Sequence, residues 1–214
     1  MTSSLDTRLA RTLCARLCHD LGGAVGGLTG TLDLVQSIDD ELMGIARESG
    51  LALRHRLRLY AAAWGGPTAD HDAAELAGML LGSPASPRVR FELDGLAPGA
   101  VLPAQIVPIA LNAALLAAEA LPRGGTVFLS GSAQAGLVVV PQANPGARPG
   151  AAQAAWPPLL VALLSGMPPD DMLDGGPRQV VAPLLVSLLE EAGWEASFGL
   201  GGGAGPMPLL LGAR

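Results

Sequence analysis

Apolar residues near the start of the chain recur at spacings of four and three, and this period constrains the fold more than any other feature. The first set is Leu9, Leu13, Leu17, Leu21, Ala24, Leu28, Leu32 and Val35. It predicts one long helix, from about Ser4 to Gln36, with a continuous apolar face. The next set predicts a second helix that ends at about Trp64: Leu42, Ile45, Ala46, Ser49, Leu53, Leu57, Tyr60 and Trp64. Two such helices with a short connection form an antiparallel hairpin, and a second copy would bury both stripes in a dimeric four-helix bundle.

The rest of the chain has a different pattern, in which short helices alternate with strands. Predicted helices cover Ala69–Gly82, Pro103–Leu121 with a kink at Pro108, Ala151–Ser165 and Pro177–Ala192. Predicted strands cover Arg88–Gly95, a hairpin over Arg123–Gln142, and two closing strands, Trp194–Leu200 and Met207–Ala213. The fold class is therefore α+β, with helices over a sheet. Gly65 to Pro67 is the best boundary, which gives a helical domain over residues 1–66 and an α/β domain over residues 67–214.

Composition excludes some classes of function. Half of the residues are hydrophobic and the net charge is −6, which is not typical of a nucleic-acid binder or of a protein that binds anionic membranes. No secretory signal and no membrane-spanning apolar run is visible, and the two cysteines suit a reducing, cytoplasmic setting. Cys14 and Cys18 share one helix face from which His19 points away, so we expect two small buried thiols and no metal site.

His19 stands out among the three histidines because the predicted helix turns it away from the apolar stripe and toward water. Gly22, Gly23, Gly26 and Gly30 lie within about 60° of it on the helical projection. Each glycine inside a helix costs roughly 1 kcal/mol relative to alanine, so with Gly27 the cost is about 4–5 kcal/mol. This is comparable to the net stability of a small domain. Close helix packing is one explanation, which fits Gly27 best, and a bare surface on which another protein docks is the explanation we favour.

The stretch CARLCHDLGGAVGGLTGTLDL, from Cys14 to Leu34, resembles the phosphoacceptor helix of the ChpT-type histidine phosphotransferases. RLRLYAAAWG (Arg56 to Gly65) is similar to the end of that family's second helix, and ALNAALLAAEALPRGGTVFL (Ala110 to Leu129) to its long helix and following strand. The resemblance implies a helical hairpin that dimerises, followed by a degenerate kinase ATPase-like domain.

The resemblance implies that His19 is the phosphorylated residue and Asp20 its acidic neighbour. An unprotonated imidazole is a good nucleophile at neutral pH, and Asp20 could orient the ring, hold its tautomer or accept a proton. A solvated helix carboxylate is the alternative for Asp20. The implied partners are response-regulator receiver domains and the receiver of a hybrid histidine kinase. No cofactor of its own is expected, because the receiver brings the Mg²⁺.

Basic residues of the second helix lie level with His19 if the turn is near Ile38. Arg54, Arg56 and Arg58 cluster there, and with Arg16 they would place the phosphoryl group or meet the acidic pocket of a receiver. A solvated basic face is the alternative.

Kinase activity driven by ATP is not expected. In histidine kinases an asparagine on the long helix holds Mg²⁺, and the corresponding position here is Leu116, whereas Asn112 lies one turn earlier. The glycine run from Gly199 to Gly205 lacks the strand, loop and helix order of a phosphate-binding loop. The expected function is transfer of phosphoryl groups between receivers through His19, and a non-catalytic interaction protein is the alternative.

Overall fold

The two predicted N-terminal helices are present in a computed structural model of the chain, which describes residues 4–34, 40–66, 69–144, 154–168, 176–200 and 205–214. Helix α1 covers Ser4–Leu34 and helix α2 covers Asp40–Trp64, and the two pack against each other. The predicted end of the first helix, from Val35 to Gln36, lies outside the described residues. No helix in the described ranges is both long enough and apolar enough to cross a membrane.

The C-terminal part contains a five-stranded sheet in the order β2-β4-β5-β7-β6. Its strands are β2 (Val89–Leu96), β4 (Gly125–Ser132), β5 (Gly136–Ala143), β6 (Trp194–Phe198) and β7 (Leu209–Ala213). Among the described strands of this sheet, β2 and β4 alone pair in parallel, because helix α4 (Val107–Glu119) connects them, and the other neighbours are antiparallel. A two-stranded ladder joins β1 (His71–Asp72) to β3 (Val101–Leu102). The predicted α+β class is therefore confirmed.

The helices of this part are α3 (Ala73–Leu80), α4, α5 (Pro158–Leu164) and α6 (Val181–Ala192), the last preceded by a 3₁₀ turn over Pro177–Val180. All four helices begin later than predicted: α3 starts at Ala73 because His71–Asp72 form β1, and α6 starts at Val181, after the 3₁₀ turn. Helix α4 starts at Val107, with Pro108 in its first turn, so the proline begins the helix and does not kink it. Helix α5 likewise starts at Pro158, and the predicted residues 151–153 lie outside the described part.

One hydrophobic core joins the hairpin to the C-terminal layers. Leu9, Leu13, Leu17 and Leu21 of α1 pack against it, as Trp64 of α2 does. The predicted stripe of α2 is correct in part: Ala46 and Tyr60 are buried, but Ile45 and Leu57 are exposed and Leu59 is buried instead. Helical period locates a stripe, but it does not show which neighbour covers each part of it.

A buried asparagine fixes the end of α2 against α4. Asn112 is fully buried; its amide donates to the carbonyls of Ala63 and Pro108, and its oxygen accepts from the indole nitrogen of Trp64 at 2.9 Å. Every hydrogen-bonding atom of this side chain is therefore used, as a buried amide requires. Asn112 acts as a structural link between the hairpin and the C-terminal layers.

Candidate functional site

His19 projects from the middle of α1 into solvent, with 64% of its side chain exposed. Its Nδ1 lies 2.9 Å from Oδ1 of Asp20, the next residue along the helix. The predicted orientation away from the apolar stripe is therefore confirmed. Since Nδ1 has a partner, Nε2 is the ring nitrogen that remains available to another molecule.

Asp20 is not a solvated helix carboxylate, because its side chain is only 8% exposed. Oδ2 accepts two short hydrogen bonds, from Nε of Arg16 and from the hydroxyl of Tyr60, both at 2.6 Å. The main-chain carbonyl of Asp20 accepts a further bond from Arg56 of α2 at 3.0 Å. Side chains of both hairpin helices thus hold the residue that touches His19.

These contacts keep the Asp20 carboxylate ionised. Burial alone would raise the pKa of Asp20. Hydrogen bonds from Tyr60, Arg16 and His19 lower the pKa by more than burial raises it, so the pKa of Asp20 lies below its usual value. Burial raises the pKa of Tyr60 strongly, and its bond to Asp20 adds to the shift, so its hydroxyl stays protonated and donates. A deprotonated Asp20 can only accept from His19, which places the imidazole proton on Nδ1.

Arg16 connects this pair to the C-terminal layers. Besides Asp20, its guanidinium donates to Glu119 at the end of α4 and to the carbonyl of Arg178 in the 3₁₀ turn, both at 3.3 Å. Burial lowers the pKa of Arg16, but the bond to Asp20 and the charge of Glu119 more than offset this, so the pKa is raised. Burial raises the pKa of Glu119, and the charge of Arg16 offsets part of that effect. A role of Arg16 in placing the phosphoryl group or in meeting the acidic pocket of a receiver stays a prediction, and in the structure its guanidinium is engaged in this network.

A cleft of about 540 Å³ opens beside His19, between the hairpin and the C-terminal layers. Its lining comprises Arg16, His19, Asp20, Ser83, Pro84, Ala85, Arg88, Leu115, Ala118, Glu119 and Arg178. The loop after α3 forms one wall. Gly82 lets that loop lie directly on α2, because a β-carbon there would collide with the backbone carbonyl of His55. The cleft carries basic side chains from three separate parts of the chain.

The glycines of α1 leave an open surface next to His19. A β-carbon added at Gly22, Gly23, Gly26, Gly27 or Gly30 would have nothing within 4 Å. Packing within one chain therefore does not explain these glycines, including Gly27, which the sequence favoured for packing. Their cost in helix stability produces a smooth, uncovered face C-terminal to the exposed imidazole.

The predicted arginines of α2 occupy different environments. Arg56 is half-buried and bonded to the Asp20 carbonyl, and its buried Nε has no hydrogen-bond partner among the residues that the structure describes. Arg54 and Arg58 are exposed. The segment of α2 predicted to lie opposite His19 agrees with the structure to within one helical turn, because Asp20 contacts both Arg56 and Tyr60.

Both cysteines are free and exposed, so the expectation of buried thiols was wrong. Cys14 lies about 100° around α1 from Leu13, and Cys18 lies about 100° from Leu17, and both cysteines fall within about 40° of the exposed Val25 and Leu32. No group of three or more potential metal ligands occurs in the described ranges.

The sequence patterns did not identify four residues of this site: Tyr60, Glu119, Arg88 and Arg178. Tyr60 is the chain's only tyrosine, and it sits in an apolar stripe. A buried tyrosine hydroxyl usually needs a partner, which was the available signal. Glu119 and Arg178 lie far from Arg16 in sequence, and no local pattern connects them.

Known proteins resemble this chain over most of its length. A profile described as "Histidine phosphotransferase C-terminal domain" matches residues 72–203. Protein phosphotransferase ChpT of Brucella abortus (strain 2308) is 29% identical over 202 residues, which cover 91% of this chain and 90% of that protein. A solved structure described as a bacterial phosphotransferase superposes with a TM-score of 0.71 at 24% identity, covering 99% of this chain and 97% of the other.

Proposed function

This chain belongs to the family of histidine phosphotransferases, and on that premise we propose that His19 carries phosphoryl groups between receiver domains. The observation that supports this most directly is the exposed imidazole, whose Nδ1 is held 2.9 Å from a buried carboxylate. That contact leaves Nε2 with its lone pair pointing away from Asp20. The donor would be an aspartyl phosphate on the receiver of a hybrid histidine kinase, and the acceptor the aspartate of a response-regulator receiver.

The first transfer forms one bond and breaks one. The Nε2 lone pair of His19 bonds to phosphorus while the bond from phosphorus to the receiver's aspartyl oxygen breaks, and that oxygen keeps the electron pair. The proton stays on Nδ1, between the ring and Asp20, whose negative charge balances the charge that the ring acquires. In the second transfer the Nε2–phosphorus bond breaks and a carboxylate oxygen of the second receiver takes the group.

We propose that the Mg²⁺ used in these transfers is held by the receiver. The two carboxylates of this site are already engaged, Asp20 by Arg16 and Tyr60, and Glu119 by Arg16. This chain contributes position and charge, which supply most of the catalysis in phosphoryl transfer.

The docking surface would be the glycine face together with the cleft. The glycines let a receiver approach the α1 backbone beside His19, and the cleft offers Arg88 and Arg178 to an acidic partner. Exposed Arg54 and Arg58 extend the basic character along α2. Free, exposed cysteines suit a reducing compartment, so we place this reaction in the cytoplasm.

A second copy of the chain would cover the exposed apolar side chains of the hairpin, giving a homodimer with a four-helix bundle. Cys14, Cys18, Val25 and Leu32 fall within about 40° of one another on α1. All four are exposed, with Val25 and Leu32 at 44% and 46%. Helix α2 also exposes apolar side chains along its length, at Met43, Leu51 and Leu57. This concentration of uncovered apolar side chains on one motif is typical of a protein interface.

We expect the double substitution of glutamate for Val25 and Leu32 to convert a dimer into a monomer. Two charges per chain would have to be buried at the helix–helix contact, which is strongly unfavourable. The mass in solution can be measured by light scattering coupled to gel filtration. Val161→Glu is the matched control, since Val161 is 42% exposed on α5 and should leave the dimer intact. A monomeric unmodified protein at micromolar concentration would contradict the bundle.

We also propose that the C-terminal part is a degenerate kinase ATPase-like domain that does not bind ATP. Leu116 occupies the position where a kinase needs its metal-binding asparagine, and it is buried. The side chain of Asn112 is already engaged in hydrogen bonds with Trp64 and Ala63 of α2.

One experiment separates relay, kinase and interaction protein. The protein is mixed with a panel of receiver domains carrying radioactive aspartyl phosphate, and separately with labelled ATP. Acid-labile label that comes only from receivers supports the relay. Label from ATP would make the chain a kinase and contradict the proposal. Tight binding of receivers without any label would leave the non-catalytic interaction protein, for which the same open face and basic cleft would serve.

A further inference from the structure

We propose that Tyr60 is a positioning residue for phosphotransfer, acting on His19 through Asp20; this rests on the proposed function. The Tyr60 hydroxyl lies 2.6 Å from Oδ2 of Asp20, and it has no contact with the imidazole itself among the hydrogen bonds of the described residues. Its role would be to fix which carboxylate oxygen faces the ring.

The two oxygens of Asp20 have separate partners. Oδ2 accepts from Tyr60 and from Arg16, whereas Oδ1 faces Nδ1 of His19 at 2.9 Å. Two donors on one oxygen prevent the carboxylate from rotating, so Oδ1 stays aligned with the ring. An aligned, ionised Oδ1 keeps the proton on Nδ1, and Nε2 is then the nucleophile. Without the tyrosine, only Arg16 would oppose rotation.

Tyr60 is itself fixed by the C-terminal layers. Its ring stacks on Trp64 with centroids 4.1 Å apart, and Trp64 donates to the fully buried Asn112 of α4. Arg16 reaches the same helix through Glu119. Both donors to Asp20 are therefore anchored on α4. Through these two contacts the C-terminal part would influence the reactivity of His19 without binding a nucleotide.

Replacement of tyrosine by phenylalanine at position 60 tests the role of the hydroxyl, since the ring and its stacking on Trp64 remain. We expect the single-turnover rate at saturating phosphorylated receiver to fall roughly 10- to 100-fold, the scale of a misplaced reacting group. The affinity for the receiver should change less than about twofold, because Tyr60 is 4% exposed and does not face the partner.

Nuclear magnetic resonance gives a readout that a purely structural role would not move. Removal of the hydroxyl takes away a bond that lowers the pKa of Asp20, so the carboxyl carbon of Asp20 should titrate at higher pH. The titratable and charged groups that remain around it are His19, Arg16, Arg56 and Glu119. Nitrogen shifts of His19 should show more of the tautomer protonated on Nε2. These spectra need no receiver, so they test the inference even if His19 carries no phosphoryl group.

Trp156→Phe is the matched control. It removes the hydrogen bond from the buried Trp156 indole nitrogen to the carbonyl of Met207, which does not involve Tyr60 or Asp20, so it should lower thermal stability while leaving the Asp20 titration and the transfer rate close to those of the unmodified protein. Unchanged Asp20 and His19 spectra in Tyr60→Phe would overturn the proposal. So would a slower transfer that is restored at saturating receiver, because Tyr60 would then act in docking.

Discussion

A protein with glutamine in place of His19 is expected to take no phosphoryl group from a receiver. An amide nitrogen is not a nucleophile, so loss of the aspartyl phosphate should fall to its background rate. The substitution should change the free energy of unfolding by less than about 0.5 kcal/mol, since the side chain is 64% exposed. The measurement is label on the protein after mixing with a labelled receiver, with thermal unfolding as the check on folding.

The chain provides a matched control for this substitution. His71 also faces a carboxylate, with Nδ1 3.1 Å from Glu75, but it lies in the short strand β1 and is not part of the cleft lining. His71→Gln should therefore accept label at the normal rate. If His19→Gln still accepted label and His71→Gln did not, His71 would be the phosphorylated residue, and the assignment of His19 would be refuted.

Leucine at Gly26 should affect stability and transfer in opposite directions. The added side chain meets nothing within the chain, and a glycine is lost from a helix interior, so the free energy of unfolding should rise by about 0.5–1 kcal/mol. The same side chain would stand where a receiver approaches His19. Overpacking of a close contact costs about 1–3 kcal/mol, so receiver affinity and transfer at low receiver concentration should fall roughly 10- to 100-fold. Leucine at Gly23 should act in the same way.

Chemical denaturation and receiver titration measure the two effects separately. Alanine at Gly26 should give the gain in stability with a smaller loss of transfer. Gly78→Leu in α3 is the control, because that glycine is exposed, helical and has nothing within 4 Å of its β-position, but it lies on a different helix. If Gly26→Leu transferred normally and instead disrupted a dimer, the glycines would serve packing between copies.

Local pattern was sufficient for much of this protein. The four-and-three spacing predicted α1, and the projection at about 100° per residue placed His19 toward solvent and its glycines beside it. Strand alternation located β2 and the β4–β5 hairpin. These features depend only on residues close together in sequence.

The environment of Asp20 depends on residues far away in sequence. Arg16 and Glu119 pair across 103 positions, and Tyr60 reaches Asp20 across 40. The exposure of Cys14 and Cys18 was missed for a related reason, since a helix with apolar side chains on several sides does not reveal which side its own chain covers. The effect of Pro108 was predicted wrongly for a similar reason. A proline begins a helix or kinks it depending on where the helix starts, and the sequence pattern did not define the first residue of α4.

The glycine face has a further consequence for the energy of a relay. A phosphohistidine carries roughly two negative charges, and a nearby free cation would stabilise it. Gly22, Gly23, Gly26 and Gly30 supply no side-chain donor, and the guanidinium of Arg16 is already shared between Asp20 and Glu119. On this face a phosphoryl group on His19 would thus gain little from the protein that carries it, and the remaining cations near it are Arg88 and Arg178 of the cleft. When an acidic receiver occupies those two arginines, the phosphoryl group would keep a high transfer potential, and its passage from one receiver to the next would run nearly level in free energy.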